Sequence, residues 1–267
     1  CIAVSDSSLA RTQEEGAASG CGDDEDDVQR RNWPARRHDD FREGPLGAER
    51  MATRARLAGV PIRRLVLASA SPARLALLRA AGLEPDVMVS GVAEDGVAGL
   101  SAGESARTLA ERKAAAIARR LHGATLPGHP APLVVGCDSL LEIDGEVRGK
   151  PASADQARAW WREQRGRSGV LTTGHAVIDL GSGRRTSGVA DTVVHFGSPS
   201  DAEIEAYIAT GEPLTVAGAC TIDGYGAPFV TGIDGSHGTV IGLSLPLLRT
   251  LLADLGIAIT DLWAHTP

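Results

Sequence analysis

The stretch Arg64-Leu-Val-Leu-Ala-Ser69-Ala-Ser71-Pro72-Ala73-Arg74 passes from an apolar run to a helix start within eleven residues. Leu65, Val66 and Leu67 read as a short buried strand. Two serines follow, and Pro72 fits the first turn of a helix, where its missing N–H costs nothing. Leu75, Leu77 and Leu78 then recur at helical spacing up to Ala81, and Gly82 stops the pattern. Such a handover opens an alternating α/β chain. The junction also bears chemistry. First-turn N–H groups lack helical partners and, with the helix dipole, favour an anion such as phosphate. Arg74 sits in that turn, where a cation opposes the dipole. A bound anion accounts for it; so does a solvent-facing arginine beside a serine cap.

The alternation continues outward. Pro85 to Ser90 reads as a strand, and Glu104 to Leu121 as an amphipathic helix with Leu109, Ala110, Lys113 and Ile117 about a turn apart. Leu133 to Cys137 reads as a buried strand ending on Asp138. Asp144-Gly145 is a hairpin signal between Leu140–Asp144 and Glu146–Arg148. Ala154 to Gln164 reads as a helix. Val170–Asp179 and Gly188–Phe196 form a long antiparallel pair joined through Gly181-Ser-Gly183. A helix over Asp201–Thr210, short strands over Thr215–Ile222 and Pro228–Ile233, and a closing helix over Leu243–Leu255 complete the pattern. Frequent hairpins predict a mixed, partly antiparallel sheet flanked by helices rather than a purely parallel one, in a single domain over 61–267.

Residues 1–60 are expected to be an extension outside that domain. The run Asp23-Asp24-Glu25-Asp26-Asp27 repels itself, and residues 1–50 hold twelve acids against seven arginines without apolar periodicity. The chain begins with Cys1 and its first methionine is Met51, so residues 1–50 read as upstream sequence. A chain starting at Met51 should therefore melt at the same temperature and turn over substrate equally well; a large loss in either measurement would show that the segment packs on the domain.

The 267 residues carry a net charge of −7 and only 3% aromatics, which argues against a broad nucleic-acid surface. No apolar run reaches the roughly 18 residues of a membrane-spanning helix. Cys1, Cys21, Cys137 and Cys220 show no zinc or disulfide spacing, so a reducing cytoplasm is favoured. Walker loops, dinucleotide fingerprints and nucleophile elbows are absent.

Several further groups could carry chemistry. Asp138, an acid directly after a buried run, sits where α/β folds collect active-site groups; it could hold a cation, deprotonate a water or simply form a turn. Lys113 and Lys150 are the only lysines beside 25 arginines. Lys150, between Gly149 and Pro151, offers a compact point charge to phosphate. Lys113 lies on a helix face, where by itself it reads better as a solvated residue. Glu94 is a loop carboxylate. Ala217 to Gly224 is a Gly-interrupted segment that lets something approach the backbone.

In this order the segments resemble one family, the Maf (septum-formation) nucleoside triphosphate pyrophosphatases, from about Arg64 to Gly256. The resemblance rests on Ser69 to Arg74, Glu94, Leu109 to Ala114, Asp138-Ser139, Gly149 to Pro151 and Ser168-Gly169. It continues through Tyr207 to Pro213, Ala217 to Ala219 and Val240 to Leu243, with wording most like the actinobacterial branch. It implies a Maf/ITPase-like α/β fold. The implied reaction cleaves nucleoside triphosphates between the α and β phosphates, giving the monophosphate and pyrophosphate, with a divalent metal such as Mg²⁺ or Mn²⁺. It also implies links to removal of non-standard nucleotides and to cell division, and it leaves a homodimer open.

By resemblance, Asp138 is the proton acceptor. Ser69, Ser71, Arg74, Lys113 and Lys150 hold phosphates, and Glu94 and Asp138 hold metal. The base-reading positions are Ala73, Ser139 and Asp223, and each departs from the family's best-known subtypes. Ala73 stands where those carry Arg or Trp, Ser139 replaces Thr or Gln, and Asp223 replaces Gln or Glu. The rival reading is a nucleotide-binding regulator of septation that no longer needs hydrolysis.

Overall fold

The computed structural model describes residues 63–93, 97, 99–122 and 130–263. The expectations for residues 1–60, for the Glu94 loop and for most of the His122–Pro132 loop lie outside them. The opening stretch folds as read, into strand β1 (Leu65–Leu67) and helix α1 (Pro72–Ala80). Ser71 caps α1, its Oγ accepting the Arg74 N–H at 3.3 Å. Strand β2 (Asp86–Val87) is shorter than expected. Helix α2 (Ala102–Arg120) starts on a reciprocal box between Ser101 and Glu104.

Strands β3 (Leu133–Ile143) and β4 (Glu146–Arg148) turn through Asp144 and Gly145, at φ 52° and 81°. Positive φ at both central residues matches the right-handed twist of the flanking strands. Helix α3 (Ala154–Gln164) and the hairpin of β5 (Ser168–Asp179) and β6 (Arg185–Phe196) follow. Helix α4 (Asp201–Ala209), strand β7 (Val230–Asp234), helix α5 (His237–Ile241) and helix α6 (Leu245–Asp254) come next in turn.

Among the described residues seven strands form one mixed sheet in the order β2-β1-β3-β5-β6-β7, with β4 beside β3. β1 runs parallel to β2 and β3, and the other pairs are antiparallel. Alternation along β3 divides the core. Leu133, Val135 and Cys137 join Leu78, Leu248 and Leu252 of α1 and α6. Farther along that face, Leu141 and Ile143 meet Trp161, Ile204 and Tyr207 of α3 and α4. On the opposite face Val134 meets Ala110, Ala114 and Ile117 of α2. Trp161 fixes its cluster by edge-on contacts to Phe196 and Tyr207, with centroids 5.8 and 5.6 Å away, and its indole N–H donates to the Ala219 carbonyl at 2.9 Å. At the far edge His195 contacts Ser168 Oγ (2.7 Å) and Asp234 (2.9 Å), linking β5, β6 and β7 across the exposed surface.

Three expectations need correction. β3 does not end at Cys137; it runs on to Ile143, so Asp138 lies in mid-strand. Thr215–Ile222 is not a strand: Glu212–Thr215 and Ala217–Ala219 are 3-10 turns, with Gly218 and Ala219 at φ 63° and 57°. Gly218 presses against Leu141, where a Cβ would come within 2.2 Å of a methyl group, so that packing sets the local path. The next strand starts at Val230 after a 3-10 turn at Ala227–Phe229, and the short α5 had no counterpart in the expected pattern.

Candidate active site

β1 and β4 both pair with the same side of β3 but leave a gap. The β1 ladder ends at Val135, whose carbonyl accepts the Ala68 N–H at 2.8 Å, and the β4 ladder begins at Leu141. Among the described residues, 136–140 of β3 have β5 on one side and no strand on the other. The first βα turn, Ser69 to Arg74, stands at one end of this open edge, and the β4 exit, Gly149-Lys150, at the other. The site thus lies beyond the carboxyl end of β1, where α/β sheets bind ligands.

Successive side chains of the open edge point to opposite faces. Asp138 faces α2 and is 5% exposed. Its register partner is Gly174, with Gly136 two residues upstream on the same face. Both glycines press on the α2 backbone. A Cβ on Gly136 would lie 2.3 Å from the Ala110 carbonyl oxygen, and one on Gly174 would lie 2.2 Å from the Ala106 carbonyl carbon. Bare backbone on the sheet lets α2 descend onto it, one turn short of where Lys113 leaves the helix. The Lys113 ammonium accordingly donates to an Asp138 carboxylate oxygen, in a pair whose side chains are 12% and 8% exposed.

The other face belongs to Arg74. Its Nη1 donates to Ser69 Oγ (3.1 Å) and the Cys137 carbonyl (3.0 Å), its Nε to the Gly242 carbonyl (2.7 Å), and its Nη2 to Ser139 Oγ (3.0 Å). Four of its five N–H donors are therefore held by uncharged acceptors. The guanidinium caps the open edge of β3, and its charge is compensated by no carboxylate among the described residues. Ser69 Oγ also accepts the Ser71 N–H at 3.2 Å. With Pro72 lacking an N–H, the Ala73 N–H is the first-turn donor of α1 with no acceptor among the described residues. A fixed cation and an open N–H at a helix start suit a phosphate oxygen.

The remaining expected site residues sit on loops. Lys150 is exposed just after β4, in a loop tied down where the Gly149 carbonyl accepts the Gly218 N–H at 2.9 Å. Asp223 is exposed and accepts from the Thr221 hydroxyl. Its turn is held by Glu212, whose carboxylate accepts from Tyr207 Oη (2.8 Å) and from the Tyr225 and Gly226 N–H groups (both 2.9 Å). Ala73 is half-buried at the start of α1. Glu94 lies outside the described residues.

Sequence reasoning passed over Gly136, Gly174 and Thr173. Gly inside a buried strand signals close backbone approach, and both glycines carried that signal. Thr173 carried none, since a buried threonine is ordinary in a strand. His175, buried in β5, ties two segments together. Its Nε2 accepts the Ser244 N–H at 2.7 Å and its Nδ1 lies 3.1 Å from the Thr173 carbonyl. Burial lowers its pKa to about 4, so the ring is neutral near pH 7 and can accept.

Among the described residues no three His, Cys, Asp or Glu side chains form a metal-holding group, and no helix is long and apolar enough to cross a membrane.

A protein of Streptomyces coelicolor named nucleoside triphosphate pyrophosphatase is 60% identical to this chain over 206 residues, covering 76% of this chain and 96% of that protein. Proteins of the same name from Streptomyces avermitilis and Rhodococcus jostii are 56% and 50% identical over 203 and 209 residues, with 96% of each covered. The family model described as Maf-like protein matches residues 64–255, from the threshold of β1 to just past α6, and takes in both faces of the open edge. By that match, and by these relatives, the chain belongs to the Maf-like protein family.

Proposed function

We propose that this chain is a nucleoside triphosphate pyrophosphatase that hydrolyses the α–β phosphoanhydride and releases the monophosphate and pyrophosphate. The observation that carries the reading is the largely buried Lys113–Asp138 pair at a strand edge with no partner strand among the described residues, beside a helix start with a fixed arginine. The relatives' shared name supports it.

Asp138 accepts the proton of the attacking water as the water oxygen bonds to phosphorus and the phosphoanhydride bond breaks. The Ser69–Arg74 turn, Lys113 and Lys150 hold the phosphates, so that catalysis rests on positioning and charge neutralisation. Ala73 and Asp223 adjoin the base; an ionised Asp223 can accept from a base N–H but cannot donate. A divalent cation, Mg²⁺ or Mn²⁺, would be held by Asp138 and Glu94 together with the phosphates. One or two carboxylates plus substrate oxygens are the usual Mg²⁺ donor set, and Asp138, a hard oxygen ligand, fits it. Such an ion would supply neutralisation of phosphate charge. We place the enzyme in the reducing cytoplasm, where the buried thiols of Cys137 and Cys220 would stay free.

The direct test is pyrophosphate release from a panel of normal and modified triphosphates with Mg²⁺ or Mn²⁺. Turnover of at least one substrate is expected; nucleotide binding without release under either metal would overturn the reading. Within it, Lys150→Met keeps the stem and removes the charge. Its loss should cost about 2–4 kcal/mol of transition-state stabilisation, roughly 30- to 1000-fold in kcat/KM. An unchanged kcat/KM would remove Lys150 from the site.

A further inference from the structure

Hydroxyl protons can be counted around Arg74, and the count leaves Ser139 none to donate to a base. Thr173 Oγ1 lies 2.8 Å from the Thr239 carbonyl, an oxygen that can only accept, so the threonine proton points there. Ser139 Oγ and Thr173 Oγ1 are 2.8 Å apart and directly opposite in the β3–β5 ladder. With the Thr173 proton already directed to Thr239, the serine must be the donor in that contact. A serine hydroxyl has one proton and two lone pairs. Ser139 thus gives its proton to Thr173 and accepts from Arg74 Nη2 at 3.0 Å. The line Arg74, Ser139, Thr173, Thr239 runs in one direction, and Thr173 and Thr239 are fully buried.

A second line reaches the same guanidinium from the same strand. His175, two residues beyond Thr173 on β5, accepts the Ser244 N–H. That bond fixes the Gly242–Ser244 segment, whose Gly242 carbonyl accepts from Arg74 Nε. Gly242 has φ +114°, and a Cβ there would lie 2.9 Å from Arg74 Nε and 3.3 Å from Ser139 Oγ. The guanidinium is therefore held on two sides.

We propose that Ser139 and Thr173 are positioning residues, which aim the Arg74 guanidinium at the phosphates through a one-way hydrogen-bond line, and that Ser139 has no proton left to donate to a base. The proposal rests on the pyrophosphatase reading above. It makes Ser139 and Thr173 a unit with Arg74, unlike a base contact, which acts independently of the phosphate end.

The experiment uses the full chain and measures pyrophosphate release from a purine and a pyrimidine triphosphate, with melting temperatures alongside. Ser139→Ala and Thr173→Val should each lower kcat/KM by about 10- to 100-fold, the scale of a misplaced catalytic group. The purine-to-pyrimidine ratio should stay at its wild-type value, and Thr173→Ser should restore the rate. In an Arg74→Ala background, Ser139→Ala should cost nothing further, since residues acting through one group are not additive. A changed base ratio in Ser139→Ala, an undiminished penalty in the Arg74→Ala background, or wild-type rates in both single variants would overturn the proposal. Ser139→Ala, at a half-buried position, decides the matter by itself if Thr173→Val fails to fold. An unmutated chain that releases no pyrophosphate overturns the functional reading and this inference together. A shifted base ratio in an active enzyme overturns the inference alone.

Discussion

Asp138→Asn should leave a folded protein that still binds nucleotide but releases pyrophosphate about 10²-fold more slowly or worse. The substitution preserves the shape of a side chain that is 5% exposed, so the packing against Gly174 and α2 is retained. It removes the basicity needed to accept a proton from water, and the negative charge to which Lys113 donates. An amide oxygen can still accept from the Lys113 ammonium, which should limit the loss in stability. Melting temperature, nucleotide binding and the initial rate of pyrophosphate release separate these effects. A wild-type rate would take Asp138 out of the proton-transfer step. Unfolding would mean that the charge pair matters first for the fold, and binding of nucleotide would then be lost with the rate.

Gly174→Ala should be among the most destabilising single changes in the chain, although it adds one methyl group. That carbon would stand 2.2 Å from the Ala106 carbonyl carbon, 2.3 Å from its oxygen and 2.4 Å from the Arg107 nitrogen. These are backbone atoms of a helix and cannot rotate aside, so α2 has to lift from the sheet. Lifting opens the packing of Ala110, Ala114 and Ile117 and draws Lys113 away from Asp138. A cost of about 4 kcal/mol or more is expected, which for a domain of this size lowers the melting temperature by roughly 10 °C. Gly103→Ala on the same helix is the control. There the added carbon meets a Val189 methyl group at an ordinary 3.8 Å, and alanine is the better helix former. Equal melting curves for the two variants would mean that α2 does not rest on Gly174.

Elements whose signals are local were legible in the sequence. The serine, proline and leucine spacing of Ser69 to Leu78 specified a capped helix, and Asp144-Gly145 specified the turn that joins β3 to β4. Ala154–Gln164 has the predicted bounds, with Ser153 as its cap. The β5–β6 pairing followed from two long runs of β-forming residues around a glycine turn. Each rests on backbone preferences that a few neighbouring residues settle among themselves.

The site was legible as a set of residues but not as an arrangement. Asp138 stood out as an acid after an apolar run, yet the strand runs past it. The end that matters is that of β1, and where one strand stops beside another is decided by the sheet. Apolar spacing made Thr215–Ile222 look extended, whereas contact of Gly218 with Leu141, far away in sequence, bends it into turns. Lys113 occupies a helix position that by itself reads as solvated. Only the close approach of α2, permitted by two glycines on different strands, brings its ammonium to Asp138. The residues alone made most of the helices, the hairpins and the residue types that could meet a triphosphate legible, because short-range sterics and hydrogen bonding suffice for those. Tertiary structure alone decided which faces those residues share and which donors remain open, because both depend on contacts between segments that only the folded sheet brings within reach.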